Sequence, residues 1–175
     1  MFLHVLNRGN ARDRVFADDA DYAALKKVLA ETQAEVFVRI LSDCLMPNHW
    51  HLVLWPLQDG DLGCFMQKLT TTHGRRWHLH DHSVGTGHLH QGTYKTVPTE
   101  EDDHLDTVLR DVERNAVRPT MVERAEDWTW NSLWRWRHPA EHQIKPILYS
   151  WPIPRPHDWF THLPTSNSPL IVRAG

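Results

Sequence analysis

The sequence predicts an α+β fold, with one antiparallel sheet covered by helices, and three observations lead there. Short β-branched and apolar runs alternate with longer stretches of helical spacing, in the order strand, helix, strand, strand, helix, strand. Two of the runs, Val36 to Leu45 and His49 to Trp55, are separated only by the turn Met46-Pro47-Asn48, close enough to pair as antiparallel neighbours. A chain of 175 residues, 41% hydrophobic and 23% charged, is long enough to bury one core and sits near globular norms.

The elements follow in order. Phe2 to Leu6 is a short apolar run ended by Asn7-Arg8-Gly9-Asn10, a strand and then a turn. Asp18-Asp19 caps a helix in which Tyr22, Leu25, Val28, Leu29 and Thr32 recur at helical spacing. The two paired runs come next. Asp61 begins a second helix carrying Leu62, Phe65, Met66, Leu69, His73 and Trp77 on one face. Residues 78–92 are rich in His and Gly and read as a mobile loop. Thr93 to Val97 reads as the last strand. Pro98-Thr99 then opens a third helix through the capping pattern Thr99-Glu100-Glu101-Asp102, with Leu105, Val108, Leu109 and Val112 as its buried stripe. From Pro139 onward, prolines and isolated aromatics suggest an irregular tail packed on the same domain, giving a division into 1–138 and 139–175.

Composition limits the function classes. Cys44 and Cys64 cannot make a disulfide framework and read as reduced, buried thiols of a cytoplasmic protein. No run approaches the roughly 18 consecutive apolar residues of a membrane helix, and no signal peptide is recognised. A net charge of −3 means that any nucleic-acid contact must come from a local basic patch. Nine tryptophans and fourteen histidines stand out, and both types suit base stacking or metal contact as well as ordinary packing.

The chemistry-bearing segment is Met46-Pro47-Asn48-His49-Trp50-His51-Leu52-Val53. Strand alternation sends His49 and His51 to one side, where two imidazoles can grip one metal ion, and Trp50, Leu52 and Leu54 to the other. Taken alone, His-x-His is more simply two partly exposed histidines beside a turn. His104, Asp111 and Asn115, at spacings of seven and four, add a strip along the third helix. Asn115 offers an amide oxygen and Asp111 a carboxylate, an oxygen-plus-imidazole set that suits Mg²⁺ or Mn²⁺.

Several segments together resemble one family. Asp43 to Val53 is similar to the histidine-bearing strand of REP-associated tyrosine transposases, single-tyrosine members of the HUH group. There the segment reads Cys/Met-Pro-Asn-His-x-His before apolar residues. His4 to Asn10 resembles the family's first strand, and Gly87 to Lys95 its Leu-x-Gln-Gly-x-Phe/Tyr-Lys hairpin. Leu109 to Arg118 resembles its nucleophile helix, and Asp127 to Ser132 the tryptophan-serine segment that follows. These five motifs stand in order over residues 4–134.

The resemblance implies a ferredoxin- or RRM-like four-stranded antiparallel sheet flanked by helices, the HUH endonuclease fold. It implies metal-dependent nicking and joining of single-stranded DNA at REP-like hairpins, with His49, His51 and Asn115 as ligands of Mg²⁺ or Mn²⁺. The expected partner is single-stranded or hairpin DNA, with a monomer and a homodimer both open, in a bacterial, nucleoid-associated setting. Arg8, Lys95, Arg110, Arg114 and Arg118 are the candidate DNA contacts, with Arg75 and Arg76 on the second helix. The chain departs from the pattern at the nucleophile, where Asp111 stands in the tyrosine's place. Ala116 replaces a proline, and Pro119-Thr120 replaces an Ala-Gly-like pair. Attack by Asp111 would give an acyl phosphate, which water hydrolyses readily, so strand joining would be lost. Tyr94 is the other tyrosine near a family motif. A binding module of the same fold that holds hairpin DNA without cutting it is the alternative reading.

Overall fold

In the computed structural model the described residues are 1–10, 14–80, 89–90, 93–99, 103–139, 147–156 and 159. The elements are β1 (Phe2–Arg8), α1 (Asp19–Glu35), β2 (Val38–Met46), β3 (His49–Pro56), α2 (Asp61–His80), β4 (Lys95–Thr99), α3 (Asp103–Glu113) and α4 (Ser132–Arg137). A single 3-10 turn, Ala125–Asp127, precedes α4. The four strands form one antiparallel sheet in the order β2-β3-β1-β4.

Helix α1 begins where the sequence places it. The Asp18 carboxylate accepts the backbone N–H groups of Ala20 and Asp21 at 2.9 and 3.1 Å, satisfying donors that the first turn leaves open. Tyr22, Leu25, Val28, Leu29 and Thr32 are buried as their spacing predicts, and Phe65, Met66, Leu69 and His73 do the same on α2. Both helices cover the sheet face that carries Leu3, Val5, Trp50, Leu52 and Leu54. Helix α3 covers the other face through Leu105, Leu109 and Val112, packed on Phe2, Cys44, Met46 and Val53. The chain turns into α2 at Gly60, whose φ of +94° a side chain rarely adopts.

Burial of polar groups holds the layers in register. Lys26 on α1 donates to both Asp43 oxygens at 2.7 Å, and Arg135 of α4 reaches the same carboxylate. Burial pushes the Asp43 carboxyl upward, but the Arg135 and Lys26 charges outweigh it and hold the group ionised. On the other face Glu113 accepts from Ser132 Oγ at 3.0 Å and Trp159 Nε1 at 2.6 Å, and Ser132 in turn meets Ser42. The outer edge of β2 is covered rather than open. Leu45 N–H donates to Trp130 O, Tyr149 N–H to Ile40 O, and Trp151 Nε1 to Leu41 O. The described part of the C-terminal segment therefore lies along β2 and against α3.

Several expectations are corrected. The last strand is Lys95–Thr99, not Thr93 to Val97. Pro98 is tolerated because β4 is an edge strand, where a missing donor costs least. Thr99 consequently pairs with Phe2 and is buried in the sheet instead of capping α3, which starts at Asp103. The rest of that capping pattern, residues 100–102, lies outside the described residues. Helix α2 runs on to His80, and Leu89 and His90 are buried, so the stretch expected as a mobile loop includes ordered, packed positions. Residues 81–88 and 91–92, most of the expected hairpin, lie outside the described residues. Cys64 is exposed, not buried, because it falls on the outer side of α2, whereas Cys44 is buried.

Candidate metal and nucleic-acid site

Cross-strand register decides which side chains share a face. His51 lies opposite Leu6, His49 opposite Arg8, and His4 opposite Val53. Directly paired residues point the same way, so His4, Arg8, His49 and His51 all stand on the α3 face. Lys95, opposite Leu6 on β4, joins them in the cross-strand row of His51, roughly 10 Å away at two strand spacings. Trp50, Leu52 and Leu54 go into the other core, as alternation requires.

The imidazoles form a compact group. The rings of His49 and His51 lie edge to face with centroids 5.0 Å apart, and His4 stacks on His51 at 5.1 Å. His49 Nδ1 is 2.6 Å from Asn48 Oδ1, an acceptor, so that nitrogen carries the proton. His51 Nδ1 is 2.9 Å from His4 Nε2. Burial, reinforced by Arg8, lowers the His49 pKa to about 4. His51 is held well below its ordinary value by burial, then by His4, His49, Arg8 and Arg118. Burial also lowers His4, against an upward pull from Asp111. All three rings are neutral at physiological pH, the state in which imidazole can donate a lone pair to a metal. Among the described residues, no group of three His, Cys, Asp or Glu is arranged to hold a metal ion.

Asp111 lies within electrostatic reach of His4. Asp111 sits in the last turn of α3, and its Oδ1 accepts from Arg118 Nη2 at 2.7 Å. The carboxylate is therefore paired with a guanidinium. Asn115 falls just past the helix end, in the turn that links Asp111 to Arg118, rather than on the helix itself. Its Nδ2 donates to Asp111 O at 3.3 Å, and no hydrogen bond joins it to either histidine. The turn continues to Thr120, whose φ of +56° is costly for a β-branched residue. His104 is exposed.

The candidate basic residues divide. Arg8 and Arg118 act on His51 electrostatically, whereas Arg114 feels Arg118 and Arg110 rather than the histidines. Arg110 is also engaged by Asp106 at 3.3 Å and lies over the Trp159 ring. Arg76 pairs with Glu31 on α1 at 2.7 Å, on the opposite side of the sheet. Tyr94 packs against the core on the α1 and α2 side, so the sheet separates it from the histidines. His4 went unrecognised as part of the site in the sequence. Its signal was there, since pairing β1 with β3 would have put it on the His51 face.

A family model described as IS200-like transposase matches residues 1–115. No curated protein sequence matches the chain. The fold superposes on a REP-associated tyrosine transposase bound to a REP hairpin, with a TM-score of 0.61 and 13% identity, over 89% of this chain and 88% of that one. It also superposes on a putative transposase from Deinococcus radiodurans R1, with a TM-score of 0.50 and 19% identity, over 66% of this chain and 89% of that one. At such identities the likeness to both structures is one of fold.

Proposed function

Because the chain belongs to the IS200-like transposase family, we propose that it binds single-stranded or hairpin DNA across the histidine face of its sheet without becoming covalently joined to it. The observation that carries this reading is the Arg118–Asp111 ion pair at the position that the resemblance gives to the nucleophilic tyrosine. A carboxylate there is shorter than a phenol, and it is already committed to a guanidinium. Cleavage through a phosphotyrosine is thus unavailable at position 111.

The remaining parts suit a strand of DNA. Arg8 and Arg118 provide positive charge beside His51, Lys95 stands in its cross-strand row, and Arg114 and Arg110 neighbour Arg118, which supplies local positive charge despite the net charge of −3. The donor set also fits a divalent cation. His49 and His51 are neutral, each has its Nδ1 engaged, and each keeps Nε2 as the nitrogen left for a ligand bond. In this reading His49 and His51 hold Mg²⁺ or Mn²⁺, with the Asn115 amide oxygen as third donor. A cation so held would supply Lewis acidity and a fixed positive charge to a phosphate. The same reading takes residues 1–138 as the transposase-like domain with 139–175 packed on it, in a bacterial, nucleoid-associated protein.

A second reading, metal-dependent nicking and joining at REP-like hairpins, is favoured by the histidine pair, since both rings keep Nε2 for a ligand bond. Denaturing gels after incubation with single-stranded hairpin DNA and Mn²⁺ separate the two. The unmodified chain should leave no adduct and Asp111→Tyr should form one at position 111. An adduct in the unmodified chain would overturn the binding reading.

A further inference from the structure

We propose that His4 is a positioning residue for the metal pair. Its Nε2 accepts the Nδ1–H of His51 and so presents the His51 Nε2 lone pair for ligation. The inference rests on the reading of His49 and His51 as ligands.

The argument starts from an asymmetry within the pair. His49 has its proton fixed by Asn48 Oδ1, which can only accept, so its ring is locked with Nε2 as the lone-pair nitrogen. His51 has no carbonyl or carboxylate on its Nδ1. Its partner at 2.9 Å is another imidazole, whose nitrogen can donate or accept. Whichever way that bond runs, Nδ1 is occupied, and a metal bond from His51 must come from Nε2. A neutral ring ligating through Nε2 carries its proton on Nδ1, so His4 Nε2 has to be the acceptor. His4 itself is then protonated on Nδ1.

A ligating histidine ordinarily hands its other N–H to a carboxylate, carbonyl or water, which sets ring orientation and raises donor strength. Here strand geometry fills that role with a side chain from β1. His4 is opposite Val53, one same-face position along from His51, and the two rings stack. Stacking restrains ring rotation as well as proton placement. The sheet thereby delivers both ligand rings in one tautomer, from two different kinds of acceptor.

The test uses the full chain. Long-range proton–nitrogen NMR correlation in saturating Mg²⁺ should show His51 protonated on Nδ1, and His4→Phe should abolish that single-tautomer pattern while filling the same space. Calorimetric titration with Mn²⁺ should show His4→Phe and His4→Ala about 10–100-fold weaker than the unmodified chain. His4→Gln, whose amide oxygen can accept, should recover most of the loss, which mere packing would not explain. A His51 ring protonated on Nε2, or undiminished Mn²⁺ affinity in His4→Phe while His51→Ala loses it, would overturn the role of His4 alone. Equal Mn²⁺ binding by the unmodified chain and His51→Ala would instead remove the metal pair, and the inference with it.

Discussion

The two faces of the sheet are built from the same strands and differ in what their alternate residues are for. On the α1 and α2 side, Leu3, Val5, Trp50, Leu52 and Leu54 meet Phe65, Met66 and Leu69 in a closed apolar layer. Its charged and ionisable members, Lys26 with Asp43 and His73 with His90, are buried and paired with one another. On the α3 side the apolar layer covers only one end. Beyond Val53 the same strands present His4, His49, His51 and Arg8, and the end of α3 brings Asp111 and Arg118 over them. One face is closed by apolar side chains and the other leaves part of its surface to polar and ionisable ones.

If that division is right, the largest effect of substitution should depend on the face. Phe65→Ala should cost about 3–5 kcal/mol of stability, as truncation of a buried aromatic does, and leave Mn²⁺ affinity of the folded protein unchanged. His49→Ala should stay within about 1 kcal/mol in stability and lose Mn²⁺ binding. Chemical denaturation paired with calorimetry checks both. A large stability loss in His49→Ala would blur the distinction between the faces.

Acid offers a sharper contrast. Burial, helped by the neighbouring His90, lowers His73 to about 3, and burial lowers His90 to about 4, from an ordinary 6.5. The unfolded chain therefore takes up their protons first, so the stability they allow is complete above about 6.5 and drains away as pH falls towards about 4. Glu113, the last residue of α3, runs the other way. Burial raises it to about 7 against the pull of Arg155, Trp159 and Ser132, so its contribution is full below about 4.5 and is lost as pH rises through about 7. Thermal melts across pH 4–7.5 should show a flatter acid limb when His73 and His90 are replaced by Phe and Leu. Glu113→Gln should steepen it. Unchanged limbs in both variants would mean that these groups do not titrate with folding.

The smallest effect expected lies in the turn that carries Arg118. Thr120 adopts a left-handed conformation at the place where the family pattern has its Ala-Gly-like pair. Thr120→Gly should raise stability by about 0.5–1 kcal/mol without altering the histidine group, measured by denaturant midpoint. A loss of stability would show that the threonine side chain earns its place through contacts.

Strand periodicity made the histidine pair legible in the sequence and helical spacing the buried stripes, because both depend only on local geometry. Position 111 was legible as a departure from the family's tyrosine. Its pairing with Arg118 was not, since seven residues and a turn separate them and the turn follows from Thr120 and not from helical spacing. The β4 boundary was missed because Pro98-Thr99 carries a helix-start signal, which the edge position of the strand overrides. Lys26 and Asp43 each interrupt an apolar pattern. Together they mark a buried ion pair, but only the contact of α1 with β2 reveals that they meet.

The central claim is that the α3 face handles unpaired DNA, and a direct test is an anisotropy titration of a hairpin with a single-stranded flank against a duplex of equal length, in Mg²⁺. The account predicts at least about tenfold tighter binding of the hairpin, since unpaired bases can stack and one backbone can lie across the site. Affinity should fall with rising salt, and Arg118→Ala should reduce the salt slope by about one phosphate contact. Equal affinity for hairpin and duplex, with a slope unmoved by Arg118→Ala, would contradict it.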